Sequence, residues 1–137
     1  KSIAQVRREI TKAIQAAAPS YGVFSGNILK AFAGDQPEAA IKAISPIDNI
    51  PNADDRKVPQ YLLRGTNDML IRNELVQPYA DALKAAGQTV KYVQVEGANH
   101  AFFDWKPDDR TKATFAKYGV PYAAEMKSFF DALFYRK

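Results

Sequence analysis

The chain has 137 residues, of which 47% are hydrophobic, and this is enough for one domain with a buried core. The 19 basic and 15 acidic residues leave a net charge of +4, and because the basic residues are scattered they indicate a solvated surface rather than a nucleic-acid-binding face. The sequence contains no cysteine and one histidine, which excludes disulfides, a thiol nucleophile and multi-histidine zinc sites. We therefore expect no metal or cofactor, and no apolar run approaches the ~18 residues of a membrane span.

The first half of the chain predicts two helices and two short strands. Apolar residues recur at helical spacing near the start, and Pro19 ends that helix. A short aromatic and β-branched run follows, and Gly34 ends the next helix. The predicted elements are, in chain order, a helix over residues 2–18, a strand over 20–24, a helix over 28–33 and a strand over 40–44.

The second half predicts a loop followed by alternating strands and helices. The predicted elements are a loop over residues 46–58, a strand over 61–63, a helix over 73–86 that Gly87 ends, a strand over 89–95 and a last helix that Pro121 opens. Strands that alternate with helices indicate an α/β fold with a mainly parallel sheet flanked by helices. We expect residues 1–137 to form a single domain.

Three polar segments, GVFSG, GTND and EGANH, each follow a predicted strand. Because ligands bind outside the carboxyl ends of parallel strands, we expect these segments to lie along one edge of the sheet. His100 in the last segment could act as a general base near neutral pH. Asp68 in the second could hold that imidazole in one tautomer. Asp104 and Asp48 are weaker alternatives for the acid.

The nucleophile is the doubtful member of this set. Gly22 and Gly26 match the glycines of a nucleophile elbow, G-x-S-x-G, but the middle position is Phe24 and a hydroxyl comes one place late, at Ser25. A gapped alignment restores Ser25 as the nucleophile by shortening the turn; we prefer the ungapped one. Phe24 is then either a core aromatic or a plug in the nucleophile pocket.

The segments GTND and EGANHAFF, with a helix and a strand between them, resemble the acid and histidine regions of the α/β-hydrolase superfamily. The nearest relatives are esterases, lipases and acetyl-xylan-esterase-like carbohydrate esterases. The resemblance runs from about residue 20 onward and covers only the later half of that fold. It implies a serine-type ester hydrolase acting on a small-molecule or carbohydrate ester, with Asp68, His100 and Ser25 as the triad. Aromatic residues near the histidine, Phe102, Phe103 and Trp105, could line an acyl or sugar site. The resemblance of the tail to secreted bacterial members favours a secreted or periplasmic location.

Two alternatives to an active esterase stay open. The first is a non-catalytic hydrolase-like domain that acts in binding or assembly. The second is a small flavodoxin-like α/β domain with an incidental Asp and His, which is disfavoured because no acidic cluster or phosphate loop follows the first strand. Without the early strands and their oxyanion-hole loop, we expect negligible esterase turnover from the isolated chain. We also expect its open sheet edge to pair with a partner segment or with a second copy of the chain.

Overall fold

The computed structural model describes residues 1–135, apart from the side chains of Arg7, Asn27, Phe32 and Ala33. The helices are α1 (Ile3–Ala13), α2 (Gly26–Ala33), α3 (Glu38–Ile44), α4 (Asn73–Ala85), α5 (Asp109–Thr114) and α6 (Val120–Phe134), and the strands are β1 (Gln60–Gly65) and β2 (Val90–Val95). A 3-10 turn at Pro46–Asn49 lies within the predicted loop, and a π-helical turn at Phe115–Gly119 joins α5 to α6.

The sheet is parallel. β1 pairs with β2 in a register that sets Gln60 opposite Val90 and Gly65 opposite Val95. Residues 17–20 lie along the other edge of β1, with parallel bridges from Ala17 to Gln60 and from Ser20 to Leu63. Three chain segments therefore run side by side in one direction, which confirms the predicted α/β class with a parallel sheet.

Helices cover both faces of this sheet. All six residues of β1 are buried, and because successive side chains of a strand point to opposite faces, β1 contributes to two separate cores. Leu62 packs in the first core with residues of α4 such as Val76 and Leu83. Tyr61 and Leu63 pack in the second, which α6 covers with Met126, Phe129 and Phe130.

Two predicted strands are wrong. Residues 20–24 form no strand, because the extended segment lies earlier, at residues 17–20, and this also ends α1 at Ala13 instead of residue 18. Residues 40–44 belong to helix α3. The physical reason is that residues 17–20 already occupy the free edge of β1, while the sequence EAAIKAI has good helix propensity and buries Ile41.

The last helical region starts earlier than predicted, at Asp109 instead of Pro121. Asp108 is its N-cap, and its side chain accepts hydrogen bonds from the backbone N–H and the hydroxyl of Thr111. Those two bonds lower the pKa of the Asp108 carboxyl below its usual range.

The ends of two helices agree with the sequence prediction. Gly34 and Gly87 follow α2 and α4 with φ of +69° and +75°, as predicted for helix ends. Within residues 1–135, no helix combines the length and apolarity needed to cross a bilayer.

Candidate functional site

Asp68 is buried in the turn that follows β1, and its side chain has no exposed surface. One carboxylate oxygen, Oδ1, accepts hydrogen bonds from the backbone N–H groups of Leu70 at 2.9 Å and Ile71 at 2.8 Å. These bonds are the local turn geometry that Asp adopts readily. They hold the second oxygen, Oδ2, in a fixed direction.

His100 lies in the loop that follows β2, and its Nδ1 is 2.8 Å from Asp68 Oδ2. An ionised carboxylate can only accept hydrogen bonds, so Nδ1 donates and carries the proton. The other ring nitrogen, Nε2, then keeps a lone pair that can take a proton from a reacting group. The imidazole is 38% exposed, whereas its carboxylate partner is fully buried.

The acid turn and the histidine turn are joined directly. Thr66 Oγ1 accepts a hydrogen bond from Gly97 N at 2.8 Å, and Asn67 N donates to Ala98 O at 3.0 Å. Gly65 makes this approach possible, because a Cβ atom there would lie 2.1 Å from Ala98 O. The pairing of His100 with Asp68 thus depends on close contact between two backbones.

Arg64 supports the turn that carries Asp68. Sequence reasoning did not identify it. Its side chain is buried, and its Nε donates to Ile71 O at 3.0 Å while Nη1 donates to Gln94 Oε1 at 2.8 Å. Ile71 in turn donates its N–H to Asp68. The sequence signal for this role is a charged residue within an apolar strand. An arginine is buried only when hydrogen-bond acceptors satisfy its donors, so its presence there indicates a structural role.

Tyr21, the residue directly before the segment GVFSG, contacts His100. Its ring centroid is 5.0 Å from that of the imidazole, and its hydroxyl donates to Asp104 Oδ1 at 2.9 Å. Burial, and then the neighbouring Asp104 carboxylate, raise the pKa of the Tyr21 hydroxyl well above its ordinary value. Sequence reasoning overlooked Tyr21, although it directly precedes Gly22 at the end of the extended segment.

The structure places Phe24 in the core and Ser25 at the start of α2. Phe24 is 5% exposed and stacks on Tyr79 of α4 with ring centroids 4.2 Å apart, so it is a core aromatic and does not plug a pocket beside the imidazole. Ser25 is the N-cap of α2, and its side chain caps no backbone group. Among residues 1–135 no hydrogen bond joins Ser25 to His100, whose hydrogen-bond partner there is Asp68.

A small polar cavity of about 160 Å³ adjoins the imidazole. Its lining residues are Asn99, His100, Ala101, Arg110, Thr111 and Thr114. The aromatic residues predicted to line a site are not among them: Phe102 is 1% exposed in the second core, and Trp105 is 62% exposed and packs edge-on against Phe115. Asp48 is exposed in the 3-10 turn.

In the part of the chain that the structure describes, no three His, Asp or Glu side chains come together as metal ligands would.

The sequence model of the Dienelactone hydrolase family matches residues 3–133. The chain belongs to the dienelactone hydrolase family. This membership confirms the resemblance to the α/β-hydrolase superfamily and is inconsistent with a flavodoxin-like domain.

Solved structures similar to this dienelactone hydrolase family chain are esterases. Esterase 2 of Thermogutta terrifontis phosphoramylated by tabun is 25% identical with a TM-score of 0.55, and the match covers 87% of this chain and 44% of that one. The same enzyme phosphonylated by cyclosarin is 26% identical with a TM-score of 0.56 and the same coverage. A truncated form of a carbohydrate esterase from gut microbiota is 18% identical with a TM-score of 0.52, and the match covers 75% of this chain and 42% of that one. At this identity the similarity is one of fold alone.

The chain thus spans less than half the length of these solved esterases. A comparison with curated proteins finds none that matches.

Proposed function

We propose that this chain supplies the acid and histidine of an ester-hydrolase site. The observation that carries the proposal is the 2.8 Å contact between His100 Nδ1 and Asp68 Oδ2, with the carboxylate buried and the imidazole partly exposed. Family membership and the esterase identity of the similar solved structures support the same reaction class. The substrate class we propose is a small-molecule or carbohydrate ester.

We assign the two residues the following roles in this reaction. His100 Nε2 takes the proton of an attacking hydroxyl as that hydroxyl adds to the ester carbonyl, and then gives the proton to the leaving alcohol. Asp68 holds the proton on Nδ1, which keeps Nε2 basic, and its charge stabilises the imidazolium that forms. Water then cleaves the acyl intermediate through the same histidine.

Ser25 is the nucleophile we propose for this site. It must approach His100 Nε2 to ~2.6–3.2 Å to transfer its proton. Within residues 1–135 Ser25 makes no hydrogen bond to His100, and a site whose nucleophile is not engaged keeps only the residual rate of binding and oxyanion stabilisation, ~10³–10⁴ over water. We therefore expect negligible multiple turnover from this chain alone.

The second candidate is a hydrolase-like domain that binds or assembles without catalysis. Two observations favour it: the ring of Tyr21 packs against His100, and Phe24 lies in the core instead of presenting a nucleophile. In this case the acid and histidine pair would keep a structural role at the sheet edge.

We also propose that the chain pairs with a partner segment or with a second copy of itself. Within residues 1–135 no strand pairs with the outer edge of β2 or of residues 17–20. Such edges present unpaired N–H and C=O groups that another strand can complete. α1 also exposes apolar side chains at Ile3, Val6 and Ile10, and Ile14 directly after the helix is exposed as well.

A fluorophosphonate probe separates the two candidate functions, because it labels only an activated serine. We expect intact mass and peptide mapping to show stoichiometric labelling at Ser25, and loss of labelling in Ser25→Ala and in Asp68→Asn. Ser128→Ala is the matched control, since Ser128 lies on the exposed side of α6 and bonds only the Ala124 carbonyl. Unlabelled protein, with folding intact, would refute Ser25 and favour the non-catalytic candidate.

The single histidine allows a second readout of the same proposal. Only His100 contributes imidazole signals to a ¹⁵N–¹H correlation spectrum. We expect the Nδ1–H tautomer in the native chain and a change of tautomer in Asp68→Asn, whose amide can donate as well as accept. An unchanged spectrum would contradict the proposed role of Asp68.

A further inference from the structure

Three neighbouring chain segments each bring one residue to the same edge of the sheet. Residues 17–20 lead into Tyr21, β1 leads to Asp68, and β2 leads to His100. The backbone N–H of Tyr21 donates to Leu63 O at 2.7 Å. Tyr21 is therefore hydrogen-bonded to β1 at the end of the extended segment. Along the chain this is also the order in which an α/β-hydrolase carries its nucleophile, acid and histidine.

The backbone of Tyr21 has the strain expected at such a position. Its φ is +42°, a left-handed conformation that residues other than glycine rarely adopt. Non-glycine residues of this kind persist only when the surrounding structure imposes them, and they cluster at functional sites. A nucleophile elbow is likewise a strained turn directly after a strand. Tyr21 is thus the strained residue that ends the extended segment, and its ring lies beside the imidazole.

The side chain of Tyr21 is held at both ends. Its ring lies against the imidazole of His100 at 5.0 Å with an interplanar angle of 53°, and it meets Phe102 edge-on at 5.8 Å. Its hydroxyl is anchored by the 2.9 Å hydrogen bond to Asp104, four residues beyond the histidine. The imidazole is consequently fixed by Asp68 at Nδ1 and by the Tyr21 ring at 5.0 Å.

Tyr21 does not replace the missing nucleophile chemically. Its hydroxyl proton is donated to Asp104, and burial together with that carboxylate raises the pKa of the phenol. A neutral phenol engaged as a donor has no available phenolate to attack a carbonyl. Tyr21 can therefore affect the site only through the contact of its ring with His100.

We propose that Tyr21 is the positioning residue of His100: its ring, anchored by Asp104, holds the imidazole against Asp68 and restricts access to Nε2. The inference depends on the contacts around the imidazole and does not require that Ser25 be a nucleophile. In this chain the partly exposed imidazole is then held against Asp68 until the anchor between Tyr21 and Asp104 is released.

Carbethoxylation by diethyl pyrocarbonate measures this directly. The reagent acylates the unprotonated nitrogen of an imidazole, and the single histidine makes the absorbance change at 240 nm report on His100 alone. Replacing Tyr21 by Leu keeps an apolar side chain and the same backbone constraint but removes the ring. We expect the rate constant to rise about tenfold, the size of effect that loss of one aromatic contact gives. In the ¹⁵N–¹H spectrum we expect Tyr21→Leu to mix the two tautomers.

Phe103→Leu is the control variant, since its ring contacts the rings of Phe102 and Phe115, whereas the described ring contact of His100 is with Tyr21. We expect it to leave the carbethoxylation rate and the tautomer unchanged. A folded Tyr21→Leu variant that reacts at the native rate with a native imidazole spectrum would overturn the proposal.

The anchor provides a test that does not depend on the folding of Tyr21→Leu. Tyr21→Phe and Asp104→Ala each remove one partner of the same hydrogen bond, and each should raise the rate about threefold. The double variant should react no faster than either single one, because coupled partners are not additive. Native rates in both single variants would refute the anchor. Since none of these readouts needs ester turnover, failure of the fluorophosphonate experiment and failure of this one are distinguishable.

Discussion

Gly65 is the residue that allows the acid turn and the histidine turn to meet. It ends β1, and a Cβ atom there would lie 2.1 Å from Ala98 O and 3.0 Å from Asn99 O, both of them backbone atoms that cannot rotate away. The collision would push the loop of His100 away from Asp68. The absence of a side chain at this one position is therefore a condition for the acid–histidine contact.

We predict that Gly65→Ala destabilises the fold by about 1–3 kcal/mol, the usual cost of overpacking a closed space. The same variant should lose the Nδ1–H tautomer of His100. Urea denaturation measures the first effect and the imidazole spectrum the second.

Gly34→Ala is the informative control for this prediction. Gly34 has φ of +69°, and none of the atoms that the structure describes lies within 4 Å of the added Cβ, so the variant carries backbone strain without a described collision. We expect a loss of about 1 kcal/mol from that strain, with the His100 spectrum unchanged. A native imidazole spectrum in Gly65→Ala would mean that the loop can yield without breaking the pair.

At the scale of secondary structure, the π-helical turn Phe115–Gly119 connects the histidine loop to the second core. Gly119 is buried, and a Cβ atom there would lie 2.6 Å from the ring of Phe115. In the same turn the hydroxyl of Tyr118 donates to Gly97 O at 3.1 Å. π-helical turns within longer helices are frequent at functional sites, and this one fastens the loop that carries His100.

We predict that Tyr118→Phe lowers the free energy of unfolding by about 1 kcal/mol, the net value of one buried hydrogen bond. Hydrogen exchange should show the loss locally, as faster exchange at Gly97 and Ala98. Tyr135→Phe makes the same chemical change at an 81% exposed residue, and we expect no measurable effect from it. Equal stabilities for the two variants would show that the hydroxyl contact does not hold the loop.

At the scale of the whole molecule, apolar surface and sheet edges remain without partners. Ile3, Val6 and Ile10 of α1 are exposed at helical spacing, as is Ile14 directly after the helix, and contiguous apolar surface of this kind marks sites of protein association. The most direct link from α1 to the sheet region is Arg56, whose guanidinium donates to the carbonyls of Thr11 and Ile14 at its C-terminal end. The exposed side chains of Ile3, Val6 and Ile10 are available to pack against another chain or segment.

We predict that the chain self-associates as its concentration rises, and that Ile10→Gln weakens this association because it places an amide on the apolar face. Arg8→Gln introduces the same side chain in α1 at a position that already carries a polar residue, and we expect it to leave the association unchanged. Sedimentation velocity over a range of concentrations measures both variants. A monomer at every concentration, with protected edge amides in hydrogen exchange, would contradict the prediction.

How well each element can be predicted from the sequence depends on how local the interactions are that determine it. β1, α4 and β2 were predicted close to their observed bounds, because buried apolar strands and glycines after helices are local signals. The prediction of a strand over residues 40–44 is wrong because a short apolar run fits a strand or a helix equally well. Residues 17–20 already pair with the edge of β1, and the segment forms helix α3 instead. The N-terminus of α5 was missed although Asp108 and Thr111 carry a local capping signal.

The sequence by itself determined the parallel α/β architecture and the two residue types that can exchange protons at its edge, Asp68 and His100. Local periodicity and turn chemistry encode strands, helices and the loops that follow them, and those are properties of adjacent residues. Only the tertiary structure decided that Tyr21 lies beside the imidazole, while Phe24 stacks on Tyr79 in the core. The physical reason is that the neighbour of a side chain at a sheet edge depends on the register of non-adjacent strands, and a shift of a few residues in that register changes which side chain faces the histidine.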